Sequence, residues 1–420
     1  MSQSSYLRKG LVVVIGVAVR ALIAFAFTKT AAVWLGPARF GAYGHYLILA
    51  SYLVTASSLG LSNAYTVYIA QSPGRAEPCG QEQSLAVVLV GAGSGLLFGV
   101  LIAALLGTGS LGWLLPRVSG GQVFMWLLLC VFSGGGSAFL ASLLGRERHL
   151  AYQVLSSSIP AVSFLALAGT AILGEMSPER AIDCYMLGFF APLLVFLARR
   201  PPLRSTSAQA IRAVLHFARP FVMPSLLIPT IGSLGLLVVR GIVASNASAY
   251  DVGLWQALWR LGESYMGVLL SIATAVYVPR LARVDSAAQA RREVRQASTA
   301  VLLLYLPVAF FWLFAPQVAL RALLSQDFSG IQLLLPIQVV GDVLKLLCAI
   351  QVLSLTSLLR PGLTLVAELI FNSLFVAGTA LLSPAYGGLG AVAAYAAAYA
   401  LLLVVLLPLT RRRITELAGA

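Results

Sequence analysis

The sequence is poor in charged residues and correspondingly rich in apolar ones. Of its 420 residues, 10% are charged and 59% are hydrophobic, whereas a soluble globular domain is about 25% charged. This balance excludes a soluble fold of this length. Cysteine (4 residues) and histidine (3 residues) are also scarce, and the cysteines have neither CxxC spacing nor neighbouring histidines. The sequence therefore predicts no disulfide framework, no metal site and no cofactor.

The apolar residues fall into twelve stretches of about 20 residues, the length that crosses a bilayer as a helix. We predict an all-α integral membrane protein with about 12 transmembrane helices. The first stretch carries Arg20 and Lys29 and is followed by no evident cleavage site, so we expect a retained span and not a signal peptide. The predicted spans are 10–33, 44–70, 84–108, 122–144, 152–174, 181–198, 217–243, 253–278, 298–320, 331–357, 361–383 and 388–410.

The net charge of +14 is explained by membrane topology. Cationic clusters fall in loops on one side of the predicted membrane, which the positive-inside rule assigns to the cytoplasm together with both termini. We therefore expect no nucleic-acid partner. The cytoplasmic clusters include Arg146 and Arg148, Arg291, Arg292 and Arg295, and Arg411 to Arg413; the few cations on the other side are Arg39, Arg117, Arg180 and Arg321.

The two halves of the chain carry a weak internal repeat. Lys29 is followed by Phe40-Gly41, and Arg240 is followed by Val252-Gly253, at an offset of about 212 residues. Six spans per half make such repeats parallel. With the polar segment 198–216 as a linker, we predict an N-terminal six-helix bundle over 1–205 and a C-terminal six-helix bundle over 206–420, flanking a central cavity.

Span ten carries the most informative polar residues. Gln338, Asp342 and Lys345 lie at i, i+4 and i+7, on one helical face. A charge at the bilayer centre costs about 2.5–3.5 kcal/mol on insertion scales, so such residues usually face a cavity or a partner. Lys345 is near enough to pair with Asp342. The pair either locks helix packing or provides a protonatable acid that couples ion or proton movement to transport.

Other charged residues inside the predicted spans could line the lumen, and most of them also allow a second interpretation. Arg20 has no acid in its own span and should face the lumen. Lys29 and Arg240 lie near span ends, where they could line the lumen or snorkel to the headgroups. Arg260 could snorkel or pair with Glu263.

Trp255 and Glu368 are the remaining candidate site residues. An aromatic ring beside polar groups suits a sugar, but Trp255 could equally be an interfacial belt residue. With Glu368 included, the deep charges are five cations (Arg20, Lys29, Arg240, Arg260, Lys345) against three acids (Glu263, Asp342, Glu368). A cavity with this balance attracts an anion, and arginine binds phosphate oxygens bidentately.

Several segments resemble the Wzx-type flippases, which form the polysaccharide-transporter branch of the multidrug/oligosaccharidyl-lipid/polysaccharide (MOP) exporter superfamily. The likeness is greatest to the members that handle the enterobacterial common antigen lipid intermediate. The segments are 35–38 (LGPA), 251–256 (DVGLWQ), 340–345 (VGDVLK), 367–368 (AE) and 384–390 (PAYGGLG).

The resemblance implies a two-bundle MOP fold that alternates between inward and outward openings. The implied substrate is an undecaprenyl-diphosphate-linked oligosaccharide, moved across the bacterial inner membrane, with a glycan polymerase and chain-length regulator proteins as partners. It assigns ion or proton coupling to Glu263, Asp342 and Glu368. We predict substrate binding by Arg20, Lys29, Arg240, Trp255, Arg260 and Lys345. Arg260 departs from the family pattern, and Trp255 is included because of its aromatic ring.

Two other functions remain open. A MATE-like multidrug or cation antiporter has the same helix count, but a cationic drug needs an acidic lumen. A membrane glycan polymerase or glycosyltransferase needs acids or histidines in a sizeable periplasmic loop, and the predicted loops are short. We therefore expect a transporter and not an enzyme.

Overall fold

The computed structural model describes residues 3–71, 79–108, 120–174, 176–199, 206–281, 284, 286–357 and 361–416, and these residues are almost entirely helical. Helices predominate because a chain in lipid must satisfy its backbone hydrogen bonds internally. The α-helices are α1 (Gln3–Ser57), α2 (Ser62–Gln71), α3 (Cys79–Gly107), α4 (Gly120–Gly145), α5 (His149–Leu173), α6 (Pro178–Gly188), α7 (Ala191–Ala198), α8 (Ala208–Asn246), α9 (Ala249–Leu281), α10 (Ala287–Phe314), α11 (Pro316–Leu323), α12 (Leu335–Ser357) and α13 (Pro361–Glu416), with a 3₁₀ helix at Gln326–Leu333.

Two helices are long enough to cross a bilayer twice. α1 has 55 residues and α13 has 56, which at 1.5 Å per residue is about 80 Å. Each is kinked at one glycine with positive φ, Gly36 (φ 64°) in α1 and Gly387 (φ 55°) in α13. No extended loop therefore separates the predicted spans 10–33 and 44–70, or 361–383 and 388–410, because one residue in the left-handed region redirects the chain and helix resumes at once.

Nine helical segments of the described chain are long and apolar enough to span a membrane. Two of them, Ile15–Gln71 and Leu363–Arg412, contain the kinks in α1 and α13. If each of these crosses twice, the nine segments make eleven crossings. The 33-residue α9, which carries Arg260 and Glu263, supplies a twelfth.

Three predicted spans are interrupted. The span predicted at 44–70 has a turn between α1 and α2. The span at 181–198 breaks between α6 and α7, just before Pro192, and the span at 298–320 breaks before Pro316, which begins α11. Proline has no N–H to donate, so a new helix begins readily with proline in its first turn.

The chain divides into two compact units. Unit 1 comprises Met1–Phe27 and Tyr46–Thr230, and unit 2 comprises Thr28–His45 and Ile231–Ala420. Residues 28–45 belong to unit 2 and residues 206–230 to unit 1, whereas we predicted the opposite assignment for both segments. The predicted bundle boundary at 205/206 stays a prediction, because residues 200–205 lie outside the described residues. Arg117 also lies outside them.

Each unit has its own packed interior. In unit 1, Leu61, Tyr65, Val87 and Val214 belong to one buried cluster. In unit 2, the residues around Gly253 come so close to α1 that a Cβ on Gly253 would collide with the carbonyl oxygen of Pro37. Only glycine allows this approach of two backbones, which joins α9 to the second half of α1.

Candidate functional site

A buried carboxylate lies at the centre of unit 2. Asp342 of α12 is 0% exposed. Its Oδ1 accepts hydrogen bonds from Gln338 Nε2 (2.8 Å) and the Tyr395 hydroxyl (3.0 Å). Its Oδ2 accepts from the Tyr305 hydroxyl (2.9 Å) and from the Tyr265 hydroxyl. Four donors from α9, α10, α12 and α13 therefore converge on one side chain.

These donors are neutral, and together they supply about as many hydrogen bonds as a carboxylate has lone-pair sites. A buried charge that is fully hydrogen-bonded can be retained in an apolar interior, whereas an unpaired one is strongly unfavourable. Our prediction that Lys345 pairs with Asp342 is wrong. The i, i+3 spacing permits such a pair, but the carboxylate of Asp342 accepts hydrogen bonds from tyrosines of other helices instead.

Lys345 pairs with an acid from another helix. Its Nζ lies 2.6 Å from Glu263 Oε1 of α9, and the two side chains are 14% and 44% exposed respectively. The same ammonium lies 5.9 Å from the centre of the Trp259 ring. The alternative in which Glu263 pairs with Arg260 is therefore also wrong. The half-buried Arg260 guanidinium has no hydrogen-bond or ion-pair partner within the described part of the chain.

Glu368 and Lys345 line the same cavity within unit 2, with a volume of about 290 Å³. Asn372 Nδ2 donates to Glu368 Oε1 at 3.0 Å. Of the described residues, none besides Asn372 donates to this carboxylate, so Glu368 is far less saturated than Asp342. The lining residues are Leu270, Thr274, Lys345, Cys348, Ala349, Val352, Leu353, Thr364, Ala367, Glu368, Phe371, Tyr399 and Leu402.

Aromatic rings form one wall of this region. Phe371 and Tyr399 line the cavity and stack with their centroids 4.1 Å apart. Trp259 stacks on Phe375 at 5.6 Å. Trp255 is 2% exposed, so in this structure it is a core residue, neither an interfacial belt residue nor available to a ligand.

Lys29 and Arg240 hold elements of unit 2 together. Lys29 Nζ donates to the carbonyl oxygens of Arg321 (3.2 Å) and Ala322 (2.8 Å). These carbonyls end α11, where a cation is favourable to the helix dipole. Arg240 Nη2 donates to the Gly41 carbonyl at 2.6 Å, and its Nη1 lies 3.3 Å from His45 Nδ1. Their predicted roles in substrate binding stay predictions.

Arg20 differs from the other predicted residues because it belongs to unit 1. Its side chain is half-buried in the middle of the first crossing of α1. No hydrogen-bond or ion-pair partner of its guanidinium is found among the residues that the structure describes. Of the nine predicted site residues, the structure thus gathers Glu263, Asp342, Lys345 and Glu368 into one region of unit 2, whereas Arg20 belongs to unit 1.

The residues that surround Asp342 were missed at the sequence level. Tyr265 lies near the middle of its predicted span, and Tyr305 and Tyr395 lie seven residues inside theirs. A buried phenol usually needs a hydrogen-bond partner. Tyrosines inside three spans were thus a signal for a shared acceptor, but the sequence alone could not show which acceptor.

Comparison with solved structures defines the fold. The chain superposes on an inward-facing multidrug-resistance MATE transporter of the MOP superfamily with a TM-score of 0.70 and 18% identity, covering 96% of this chain and 95% of that one. It superposes on the lipid II flippase MurJ, in an inward closed conformation, with a TM-score of 0.69 and 12% identity, covering 98% and 90%. The protein therefore has the fold of these transporters, which confirms the predicted all-α, MATE-like membrane fold; the cytoplasmic location of both termini stays a prediction.

Sequence comparison then gives the family. Residues 6–285 match the polysaccharide biosynthesis protein family, and the chain belongs to this family. A curated relative, the lipid III flippase of Escherichia coli (strain K12), is 28% identical over 165 residues. That alignment spans 39% of this chain and 39% of the relative.

Proposed function

We propose that this protein is a flippase that moves an undecaprenyl-diphosphate-linked oligosaccharide from the cytoplasmic to the periplasmic leaflet by alternating access. The observation that carries the proposal is the match to the polysaccharide biosynthesis family on a transporter fold. The names of the lipid III and lipid II flippases among the similar proteins support the same substrate class. Such a lipid carries a diphosphate, which suits the excess of deep cations.

We assign the coupling to ions or protons chiefly to Glu368. It faces the cavity beside Lys345, and of the described residues only Asn372 donates to it. Binding of a proton or cation at Glu368 would remove its attraction for Lys345, and a ligand shifts a conformational equilibrium by its differential affinity for the two states. Asp342 supports this site by holding α9, α10, α12 and α13 in register. Glu263 keeps Lys345 oriented.

The same proposal places the protein in the bacterial inner membrane with both termini in the cytoplasm, as the distribution of cations favours. A glycan polymerase and a chain-length regulator would act on the product after it reaches the periplasmic leaflet. Both partners would meet the glycan on the periplasmic side, where the flippase delivers it.

The test is to deplete the protein and measure the pool of lipid-linked oligosaccharide, with leaflet sidedness probed on sealed membrane vesicles. We expect the lipid-linked glycan to accumulate on the cytoplasmic face, and wild-type protein to relieve this accumulation. A normal pool with altered drug susceptibility would indicate that the protein is a MATE-like antiporter and not a flippase. Normal flipping with unpolymerised glycan outside would indicate a polymerase.

Coupling is tested in the same vesicles. Glu368→Gln should make transport insensitive to an imposed proton or sodium gradient, because the substituted amide cannot take up a proton or attract a cation as a carboxylate does. Asp342→Asn serves as the comparison. If Asp342→Asn retains full, gradient-dependent transport, Asp342 has no coupling role; if it alone abolishes the dependence, the assignment to Glu368 is wrong.

A further inference from the structure

One oxygen of the Glu368 carboxylate is enclosed by two neighbours within unit 2. Asn372, one turn further along α13, donates through Nδ2 to Glu368 Oε1 at 3.0 Å and to the Glu368 carbonyl oxygen at 2.9 Å. Helix α8 approaches the same Oε1 at Gly232, where a Cβ would lie 3.0 Å from it. Oε1 is therefore held in place, whereas Oε2 accepts a hydrogen bond from no residue that the structure describes.

The Asn372 amide has a defined orientation. Its side chain is 6% exposed, and because Nδ2 faces two oxygens of Glu368, turning the amide over would lose both hydrogen bonds. Its Oδ1 consequently lies against α8, where a Cβ on Gly235 would collide with it. Only glycine at position 235 leaves the space in which Asn372 reaches Glu368.

The two glycines of α8 share one helical face. Gly232 and Gly235 are three residues apart, a spacing that places both on the side of α8 that meets α13. Gly241 of the same helix differs from them, since a Cβ there would have no atom within 4 Å. A glycine inside a helix is destabilising relative to alanine, so the close approach to Glu368 and Asn372 gives Gly232 and Gly235 a reason that Gly241 lacks.

The surroundings of Glu368 leave Oε2 as its reactive atom. Glu368 and Lys345 line one cavity, but the Lys345 ammonium is bonded to Glu263 at 2.6 Å. Within the described chain, the hydrogen bond to the Glu368 carboxylate thus comes from a neutral amide. A hydrogen bond to the charged form of an acid favours that form. Asn372 therefore sets both which oxygen is free and how readily it takes up a proton.

We propose that Asn372 is the positioning residue of the Glu368 site. It fixes Oε1, so that Oε2 receives the proton or cation, and Gly235 provides the space that Asn372 needs. This inference rests on the proposed function, because it concerns the residue to which we assign coupling. It adds α8 to that site and predicts that a change at Gly235 acts on Glu368 only through Asn372.

The test measures covalent modification of Glu368 by diisopropylcarbodiimide, a reagent for protonated carboxyl groups, in the purified full-length protein by mass spectrometry. Asn372→Leu retains the shape of the side chain and removes the donor. The initial rate at Glu368 should rise by about tenfold, as expected for the loss of one hydrogen bond to a charged group. Gly235→Ala should raise the rate similarly, because the added methyl group displaces the amide.

Three comparisons make this result specific. Gly241→Ala is the matched control and should be modified at the wild-type rate, since its methyl group meets no other atom. The double variant Gly235→Ala/Asn372→Leu should not exceed Asn372→Leu alone, because both changes remove the same hydrogen bond. Gly235→Ala adds volume beside the site, so a rise in that variant does not come from wider access of the reagent.

Modification of Asn372→Leu at the wild-type rate would overturn the inference. A double variant whose rise equals the product of the two single rises would also overturn it, because Gly235 would then act independently of Asn372. If Gly235→Ala does not fold, as judged by thermal unfolding, Asn372→Leu decides alone.

Transport provides the second readout. In vesicles, Asn372→Leu should lose the stimulation of transport by an imposed proton or sodium gradient, while Gly241→Ala keeps it. Full stimulation in Asn372→Leu would contradict a positioning role. The proposed function fails separately, when depletion leaves the pool and sidedness of the glycan lipid unchanged, since the modification experiment requires no glycan lipid.

Discussion

The two units treat charge inside the membrane in opposite ways. In unit 2, the deep charges Asp342, Lys345 and Glu263 are bonded to one another or to neutral donors. In unit 1, the half-buried Arg20 lies inside the first crossing of α1 with no partner in the described chain. The difference indicates two uses of charge: a partnered charge holds helices in register, and an unpartnered one is available to a ligand.

The contrast is not absolute, because Arg260 of unit 2 also lacks a partner in the part of the chain that the structure describes. Arg260 lies beside Trp259, whose ring is stacked in the interior and lies near Lys345. It is the residue of unit 2 that most resembles Arg20. The comparison of the two units therefore predicts that stability depends on the bonded charges, and that ligand binding depends on the unbonded ones.

The largest expected effect on stability is at Asp342. Asp342→Ala leaves three tyrosine hydroxyls and one amide without their acceptor in a buried site, which should cost about 3–5 kcal/mol of unfolding free energy. Asp342→Asn retains the shape and one acceptor oxygen, and should cost less. Thermal or denaturant-induced unfolding of the protein in detergent measures both losses. Asp327→Ala, at an exposed acid, is the control, and equal stability of Asp342→Ala and Asp327→Ala would contradict the structural role.

The pair Lys345–Glu263 should show the next largest effect, and an asymmetric one. Glu263→Gln leaves the more buried Lys345 unpaired and should destabilise the protein by about 1–2 kcal/mol. Lys345→Met leaves Glu263 unpaired, but Glu263 is 44% exposed and thus less desolvated than Lys345, so this loss should be smaller. In the double variant the loss should be smaller than the sum of the two single losses. Additive losses would mean that the two side chains do not interact.

Lys29 should have a smaller effect. Lys29→Met removes the cation from the end of α11, where such an interaction contributes about 0.3–1 kcal/mol. Lys29→Arg keeps the charge and serves as the matched variant. Both are measured by thermal unfolding. If Lys29→Met keeps full stability but loses binding of the lipid, Lys29 belongs with Arg20 as a ligand-binding cation.

The smallest expected change in stability is at Arg20. Arg20→Ala removes no bond of the described structure, so the free energy of unfolding should change by less than about 0.5 kcal/mol. Transport in vesicles should nevertheless be lost, while Arg20→Lys should retain part of it. If Arg20→Ala unfolds as readily as Asp342→Ala, Arg20 is a structural residue and the contrast between the units disappears.

Much of the fold could be predicted from the sequence, since a span is recognised by its own length and apolarity. The errors came where geometry depends on single residues. Gly36 and Gly387 redirect helices without loops, and the prolines near residues 192 and 316 begin new helices inside predicted spans. Glycine and proline mark such places, but whether a given one bends, breaks or tolerates a helix depends on the packing around it.

The candidate site was predicted less completely. Asp342, Lys345, Glu263 and Glu368 were recognised because charge is rare in a span, and the structure brings them into one region of unit 2. Their partners were assigned incorrectly, since spacing along one helix identifies only neighbours on that helix. Tyr265, Tyr305 and Tyr395 come from three other helices, and no periodicity within α12 predicts them.

Local composition is enough to show that the chain is a helical membrane protein with rare charges at depth, because the cost of apolar surface in water and of charge in lipid depends on nearby residues only. Which of those charges are bonded depends on how the helices pack. Four helices supply the donors to Asp342, and Glu263 reaches Lys345 from α9. Partner choice depends on distances between segments that are remote in the chain, and these distances exist only after the helices have packed.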